Sequence, residues 1–412
     1  MNETSHLTTD PQSTFTQLIL ALSTAMDLDE KVKLYHGWQV AVWASKMAEE
    51  ACPQQLTEIF YAGLLHDIGG IGLSDHIIHY PRLDDQLKNP EVRRHPYRGA
   101  QIIRMIPMIF KGLHHIADMV LEHHEWWTGK GYPNGKSGDE IGKEAQLLRA
   151  ADAFDVYRRL YPKPVSESVD SALDRLASSQ ECSSQMVHLL KKTLGREDPS
   201  PLLRDEAALA DLIRQMQDRL HPLTLQDTPD TLEGVLLLFA KVIDAKHSYT
   251  AGHSERIALY SSQVARALGL PDDQVREIRY AGYLHDIGKL SVPRSILDKP
   301  GPLDEEERRL VKNHPRLTIE VLKFFPALRG LAQIAGRHHE RWDGQGYPDG
   351  LKGEEIPLGG RILAVADALD ALTSDRPYRK IGTFKEALQD LRTNRSKQFD
   401  PRVVDATVEL FG

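Results

Sequence analysis

Apolar positions recur at helical spacing along most of the chain. Val275, Ile278, Gly282 and His285 fall at i, i+3, i+7 and i+10, and Leu56, Ile59, Gly63 and His66 repeat that spacing. No run sustains the period-two alternation of strands joined by hairpin turns, so the pattern predicts an all-α protein. Asp230 with Glu233, and Asp304 with Glu307, have the spacing of capping boxes at helix starts. Pro315 is placed to close the second of those helices. A further helix is expected from Asp205 to Leu220, after which His221-Pro222 through Thr228-Pro229 reset the chain.

The pattern also repeats itself. Tyr61-Ala-Gly-Leu-Leu-His66-Asp67-Ile-Gly69 recurs 219 residues later as Tyr280-Ala-Gly-Tyr-Leu-His285-Asp286-Ile-Gly288, and His95-Pro96 recurs as His314-Pro315. At an offset of 215, His123-His124-Glu125 matches His338-His339-Glu340, Gly131-Tyr132-Pro133 matches Gly346-Tyr347-Pro348, and Ala151-Asp152-Ala153 matches Ala366-Asp367-Ala368. His36 pairs with His253 at 217. Landmarks in one order, twice, define a duplicated domain. The expected organisation is a short tail over 1–14, a first domain over 15–195, a linker over 196–229 and a second domain over 230–412.

Composition narrows the chemistry. A chain of 412 residues, 41% hydrophobic and 27% charged, is globular and long enough for two or three cores. No apolar run approaches the roughly 18 residues of a membrane helix. Met1 to Thr14 lacks the basic and apolar regions of a signal peptide, which leaves the cytoplasm as the expected compartment. Cys52 and Cys182 supply neither a disulfide framework nor a thiolate site. A net charge of −8 argues against DNA or RNA as partner. The anomaly is histidine, 18 in all.

His285 continues the apolar stripe of its helix and so points inward, and His338 extends the face made by Leu331, Ile334 and Ala335. Asp367 ends an apolar run, where an unpaired carboxylate would be costly. Converging groups of this kind can satisfy one another through a shared cation. His253, His285, Asp286, His314, His338, His339 and Asp367 form a set rich in imidazole, with two carboxylates and no thiolate, which suits Fe, Mn, Zn, Co or Ni better than Ca or Mg. Seven ligands exceed one tetrahedral ion and fit two, with Asp286 bridging.

The second repeat resembles the HD-GYP family of HD-domain phosphohydrolases. The resemblance rests on Tyr249-Thr-Ala-Gly-His253, His285-Asp286-Ile-Gly-Lys289, His314-Pro315, His338-His339-Glu340, Gly344-Gln-Gly346-Tyr347-Pro348 and Asp367 through Arg379. It implies a helical HD core, a bi- or trinuclear Fe or Mn centre on those seven ligands, and hydrolysis of cyclic di-GMP or, in some members, cyclic GMP-AMP. By the same resemblance, Asp286 and Lys289 are catalytic, Lys289 binds the phosphate, and Tyr347, Asp370, Arg376 and Arg379 contact the dinucleotide. Trinuclear members carry a carboxylate where this chain has Tyr249, so two ions are expected. A diguanylate cyclase or other signalling protein is a compatible partner, as is a second copy of the chain.

The first repeat keeps His36, His66, Asp67, His95, His123, His124 and Asp152, the set for a second metal centre. It has Gly70 in place of Lys289, and Tyr161 and Pro164 in place of Arg376 and Arg379, with Arg158 and Arg159 nearby. This reads as a metal-binding domain that is regulatory or weakly active, the alternative being an active domain with another phosphorylated substrate. Two other classes compete for the whole chain. A non-catalytic cyclic-dinucleotide sensor or scaffold would predict eroded ligands in the second repeat, and none is eroded. An HD-fold diiron oxygenase shares the ligands, but the Gly-Tyr-Pro loop and the arginine pair count against it.

Overall fold

The computed structural model describes residues 11–412 apart from 30–31, 34, 72, 74–76, 106–112, 161–163, 197–198, 200–202, 204, 221–228, 247–251 and 375–381. The expected all-α class is what is found. Among the described residues the only strands are Leu28–Asp29 and Val32–Lys33, a two-residue antiparallel ladder.

The chain divides into two compact units, Met26–Gln226 and a second made of Asp227–Gly412 with Met1–Ala25. These units depart from the expected boundaries at both ends of the first repeat. The helix Pro11–Met26 buries Phe15, Leu18, Ile19 and Leu22, and its Gln17 Oε1 accepts the Ala327 amide at 2.8 Å, which ties it to the C-terminal unit. Helix Glu206–Gln217, expected within the linker, belongs to the N-terminal unit. Asp205 caps it by accepting from the Ala207 amide at 2.9 Å, and Arg219 beyond it pairs with Glu49 at 3.1 Å.

In the C-terminal unit, the apolar faces of His253–Ala267, Asp272–Leu284, Leu358–Thr373, Phe384–Thr393 and Pro401–Phe411 meet in one core around Val275, Ile278, Ile362, Leu369, Leu391, Phe399 and Val403. Each such side chain contributes about 1.5–3 kcal/mol on burial, and the core fixes the helices that carry the site. The caps are local and strong. Asp304 and Glu307 form the expected box, each side chain accepting the other's amide at 2.9 Å. Of the other expected box, the Glu233 carboxylate is drawn to Arg279 at 2.5 Å and to the Tyr283 hydroxyl at 2.9 Å, and the Asp230 side chain lies outside what is described. Pro315 opens the helix His314–Lys323 rather than closing the one before it, which ends at Lys312.

Two glycines let the helices approach closely enough for the site to form. A Cβ on Gly282 would lie 2.8 Å from Ala258 Cα, and one on Gly288 would lie 2.1 Å from the His314 carbonyl oxygen. Gly63 and Gly69 do the same in the N-terminal unit, at 2.4 Å from Ala41 Cα and 1.9 Å from His95 O.

Candidate metal centre

Each imidazole of the C-terminal site is aimed by its own helix. His285 Nδ1 donates to Gly282 O at 2.8 Å, His314 Nδ1 to Val311 O at 2.6 Å and His338 Nδ1 to Ala335 O at 2.7 Å. With the proton on Nδ1, a neutral ring presents Nε2 as a bare lone pair. Those lone pairs converge on Asp286. Its Oδ2 lies 3.3 Å from His285 Nε2 and 3.7 Å from His253 Nε2, while Oδ1 lies 3.2 Å from His314 Nε2 and 3.7 Å from His338 Nε2. One carboxylate therefore stands between two pairs of imidazoles.

The arrangement fits divalent cations. His314 Nε2 and His338 Nε2 are 3.3 Å apart with no hydrogen available between them. His285 Nε2 and Asp286 Oδ1 are buried without a hydrogen-bond partner, a costly state that a shared ion relieves. Ligand atoms of His253, His285 and Asp367 lie within 4.8 Å of one another, as do those of His314, His338 and His339. Burial pushes His339 down to about 3, so its ring is neutral, as a metal ligand must be. Burial also disfavours the Asp286 carboxylate, yet His285 and Lys289 beside it hold its carboxyl well below the usual range.

The groups around these ligands differ from expectation in one role. Asp370 is fully buried, with Oδ2 2.7 Å from His253 Nδ1 and Oδ1 held by Arg256. Its buried carboxylate is taken up by His253 and Arg256, where the expectation was a contact with the dinucleotide. Lys289 is half-buried at the rim, its Nζ 2.6 Å from Asp286 Oδ2. Tyr347 tilts over His339 with ring centroids 4.9 Å apart. Arg376, Arg379 and Tyr249 lie outside the described residues.

Glu340, which follows the His338-His339 pair, has a role that the motif does not announce. Its buried carboxylate accepts the amides of Asp349 at 2.8 Å and Leu351 at 3.0 Å, which pins the Gly-Tyr-Pro loop beside the ligands. Glu125 does the same in the first repeat, to Asn134 at 2.7 Å and Lys136 at 3.0 Å. Recurrence of a glutamate directly after His123-His124 and His338-His339 is the signal for this role in the sequence.

The N-terminal site reproduces the frame. Asp67 Oδ2 lies 3.3 Å from His66 Nε2 and 3.9 Å from His36 Nε2, and Oδ1 lies 3.4 Å from His95 Nε2 and 3.6 Å from His123 Nε2. Burial pushes His123 down to about 4. Asp155, equivalent to Asp370, holds His36 Nδ1 at 2.7 Å. Arg158 and Arg159, which stood near the expected recognition arginines, turn back onto Asp155 at 2.5 and 2.7 Å. A third arginine has no counterpart across the repeat. Arg149 stands where the second repeat has Ala364, and its NH1 lies 2.7 Å from Asp152 Oδ2 and 3.1 Å from His124 Nδ1.

Two bundles of helices, each aiming imidazoles at a central aspartate, define an HD-type protein. A family profile described as the HD domain matches residues 19–182 and 238–403, so both repeats of the chain belong to the HD domain family. Its relatives place it in the HD-GYP branch of phosphodiesterases. The chain is 30% identical over 419 residues to 3'3'-cGAMP-specific phosphodiesterase 1 of Vibrio cholerae, covering 95% of this chain and 90% of that protein. It is 34% identical over 310 residues to 3'3'-cGAMP-specific phosphodiesterase 3 of the same organism, a match that takes in 74% of this chain and 64% of that relative. It is also 47% identical over 169 residues to the cyclic di-GMP phosphodiesterase response regulator RpfG of Xanthomonas campestris, covering 40% and 45% of the two chains. A crystal structure of a cyclic GMP-AMP specific phosphodiesterase of V. cholerae superposes with a TM-score of 0.66 at 27% identity, over 96% of this chain and 97% of that one. No described helix is long and apolar enough to cross a membrane.

Proposed function

We propose that the protein is a metal-dependent cyclic-dinucleotide phosphodiesterase whose reaction takes place in the second repeat. The observation that carries this reading is Asp286 between two pairs of bare Nε2 atoms, with Lys289 at the rim. His253, His285 and Asp367 would hold one ion and His314, His338 and His339 the other, with Asp286 shared; Fe or Mn is the proposed metal. Two such ions, when bound, supply a hydroxide near neutral pH and neutralise a phosphodiester.

The chain's own residues do the rest. His285, His314 and His338 bond backbone carbonyls through Nδ1, which leaves each Nε2 to hold an ion. Lys289 Nζ, 2.6 Å from Asp286, is close enough to reach a non-bridging phosphate oxygen and to protonate the departing 3′ oxygen. Tyr347, held in the loop that Glu340 anchors, offers a ring face for a base. Arg376 and Arg379 are proposed to read phosphate or guanine edges, since guanidinium forks suit both.

Within this class the first expectation was cyclic di-GMP. A second reading, 3′3′-cyclic GMP-AMP, is favoured by one specific observation. The relatives whose similarity extends over 95% and 74% of this chain carry that specificity in their names, whereas RpfG matches over 40%. The first repeat is proposed to be regulatory, and the repeat boundaries 15–195 and 230–412 remain our assignment of the evolutionary unit.

The test is hydrolysis by the full chain purified anaerobically with Fe or Mn, offered cyclic di-GMP, 3′3′-cyclic GMP-AMP and bis(p-nitrophenyl) phosphate. Turnover of a cyclic dinucleotide that disappears in Asp286→Ala is expected. Intact cyclic dinucleotides in the presence of metal-loaded wild type would defeat the proposal, and the ratio of the two rates decides the substrate.

A further inference from the structure

We propose that Arg149 is a built-in cation that keeps metal out of the N-terminal site. The argument starts from what a guanidinium can do at a His/Asp cluster. It is permanently charged and has only donors, so any nitrogen or oxygen it contacts must offer that contact a lone pair. Arg149 NH1 contacts two such atoms at once, Asp152 Oδ2 at 2.7 Å and His124 Nδ1 at 3.1 Å.

The consequence for His124 follows from tautomerism. A neutral imidazole that accepts at Nδ1 carries its proton on Nε2, and a protonated nitrogen cannot bind metal. If Nδ1 were the ligand atom, NH1 already occupies its lone pair. Either way the ring leaves the ligand set. Asp152 is drawn away through Oδ2, which Arg149 holds, while its Oδ1 keeps the place beside His36, at 3.3 Å, that Asp367 Oδ1 has beside His253 at 3.6 Å.

His124 and Asp152 are not two arbitrary ligands. Their equivalents, His339 and Asp367, each complete one half of the C-terminal cluster, the first beside His314 and His338, the second beside His253 and His285. One guanidinium therefore takes the ring from one half of the N-terminal cluster and places a fixed positive charge on the carboxylate of the other. What remains is two imidazoles on each oxygen of Asp67. Four of the atoms that would bind an ion, on Asp67, His95, His123 and His124, still lie within 4.8 Å of one another, but the last of them is spoken for.

Arg149 is held in this pose. Its Nε donates to Glu181 Oε2 at 3.1 Å, NH2 bonds the same carboxylate, and the Tyr157 hydroxyl bonds the other oxygen. Arg149 and Glu181 are both buried. The second repeat has no such pair. Glu181 and Gln398 are equivalent, since their carbonyls accept the amides of Trp127 and Trp342 at 2.7 and 3.0 Å, and Arg149 corresponds to Ala364. The space beside Arg149 and Asp152, walled by Ile77, Tyr80 and Tyr157, is about 20 Å³, room for one water and not for a nucleotide. In contrast, the Asp367 side chain is 21% exposed where Asp152 is 5% exposed.

The inference uses the two-metal reading of the second repeat only as its reference. The experiment is metal content per full-length chain after equilibration with Fe(II) or Mn(II) and removal of unbound ion. Four proteins are compared: wild type, Asp286→Ala, Arg149→Ala/Glu181→Gln, and the combination of all three substitutions. The pair Arg149→Ala/Glu181→Gln installs the second repeat's own residues, so neither charge is left buried alone. About two ions are expected in wild type, following the two-metal arrangement, with near-complete loss in Asp286→Ala. Metal should return in the combined variant.

Two results would overturn the proposal: Asp286→Ala keeping half or more of the wild-type metal, or the combined variant binding no more than Asp286→Ala while retaining a helical circular-dichroism spectrum and a cooperative melt. If the combined variant loses that spectrum, Arg149→Lys in the Asp286→Ala background decides. Its ammonium ends one bond short of the place the Arg149 nitrogen holds between Asp152 and His124 and lacks the nitrogens that bond Glu181, so metal content unchanged from Asp286→Ala would overturn the idea. Absence of metal from wild type, with a gain in Arg149→Ala/Glu181→Gln, would instead refute the C-terminal metal centre and leave this inference standing.

Discussion

Asp370 acts on the site through His253, whose Nδ1 it holds at 2.7 Å. Burial opposes its ionisation, but hydrogen bonds from His253 and Arg256 prevail and hold its carboxyl down at about 2. Since an unfolded aspartate titrates near 3.9, this group stabilises the fold fully above that value, and the contribution is lost as pH falls from about 4 towards 2. Asp370→Asn should flatten the acid limb of the stability curve in that window, measured by urea unfolding at a series of pH values. It should also loosen metal binding by about 10–100-fold, as removal of a ligand's partner commonly does, read by competition with a chelator. Lys289→Met makes the complementary prediction. It should leave metal content unchanged and lower kcat by about 10²–10³-fold, the usual effect of losing one acid or oxyanion donor. The residues that converge on Asp286 were legible in the sequence because the same residue types recur in the same order. The role of Asp370 was not, because an aspartate one turn beyond a ligand on an apolar helix fits either side of it.

At the scale of elements, the site is a set of helix ends brought together by close approach. The segment Ile287–Ser291 crosses the start of His314–Lys323 at Gly288, where an added methyl would sit 2.1 Å from a carbonyl oxygen. Gly288→Ala must push His314 away from Asp286. A loss of about 2–4 kcal/mol is expected from such backbone strain, together with loss of metal, and thermal melting of the metal-free and metal-loaded forms measures both. Glu340→Gln should leave the metal in place and free the Tyr347 loop, raising KM more than it lowers kcat. The helical class and most helix positions were legible from apolar spacing. The pairing of Glu233 with Arg279 and Tyr283 was not, since a capping-box spacing says nothing of what a neighbouring helix offers. Pro315 likewise tells only that a boundary falls there, and the geometry decides that it opens a helix.

Over the whole molecule, duplication gave the strongest signal in the sequence and also hid its main asymmetry. Matching landmarks drew attention to what the repeats share, while Arg149 against Ala364 stood in an otherwise apolar stretch. Nor could amphipathic spacing say which core the Pro11–Met26 helix joins, because any apolar face can fill any core of suitable shape. If ions bind the second repeat alone, chelation should lower the melting of that unit while the first repeat's melting stays put. A ligand at about 100 times its dissociation constant stabilises its site by about 2.7 kcal/mol, large enough for the two transitions to separate in calorimetry. The same asymmetry has a meaning outside the test tube. A guanidinium is delivered by the ribosome, one per chain, and can be neither scavenged by a competitor nor oxidised in place. During iron scarcity or oxidative stress, the first repeat would stay folded at full strength while the second fell silent, so the protein would persist as an inactive reserve that returning metal could switch back on without new synthesis.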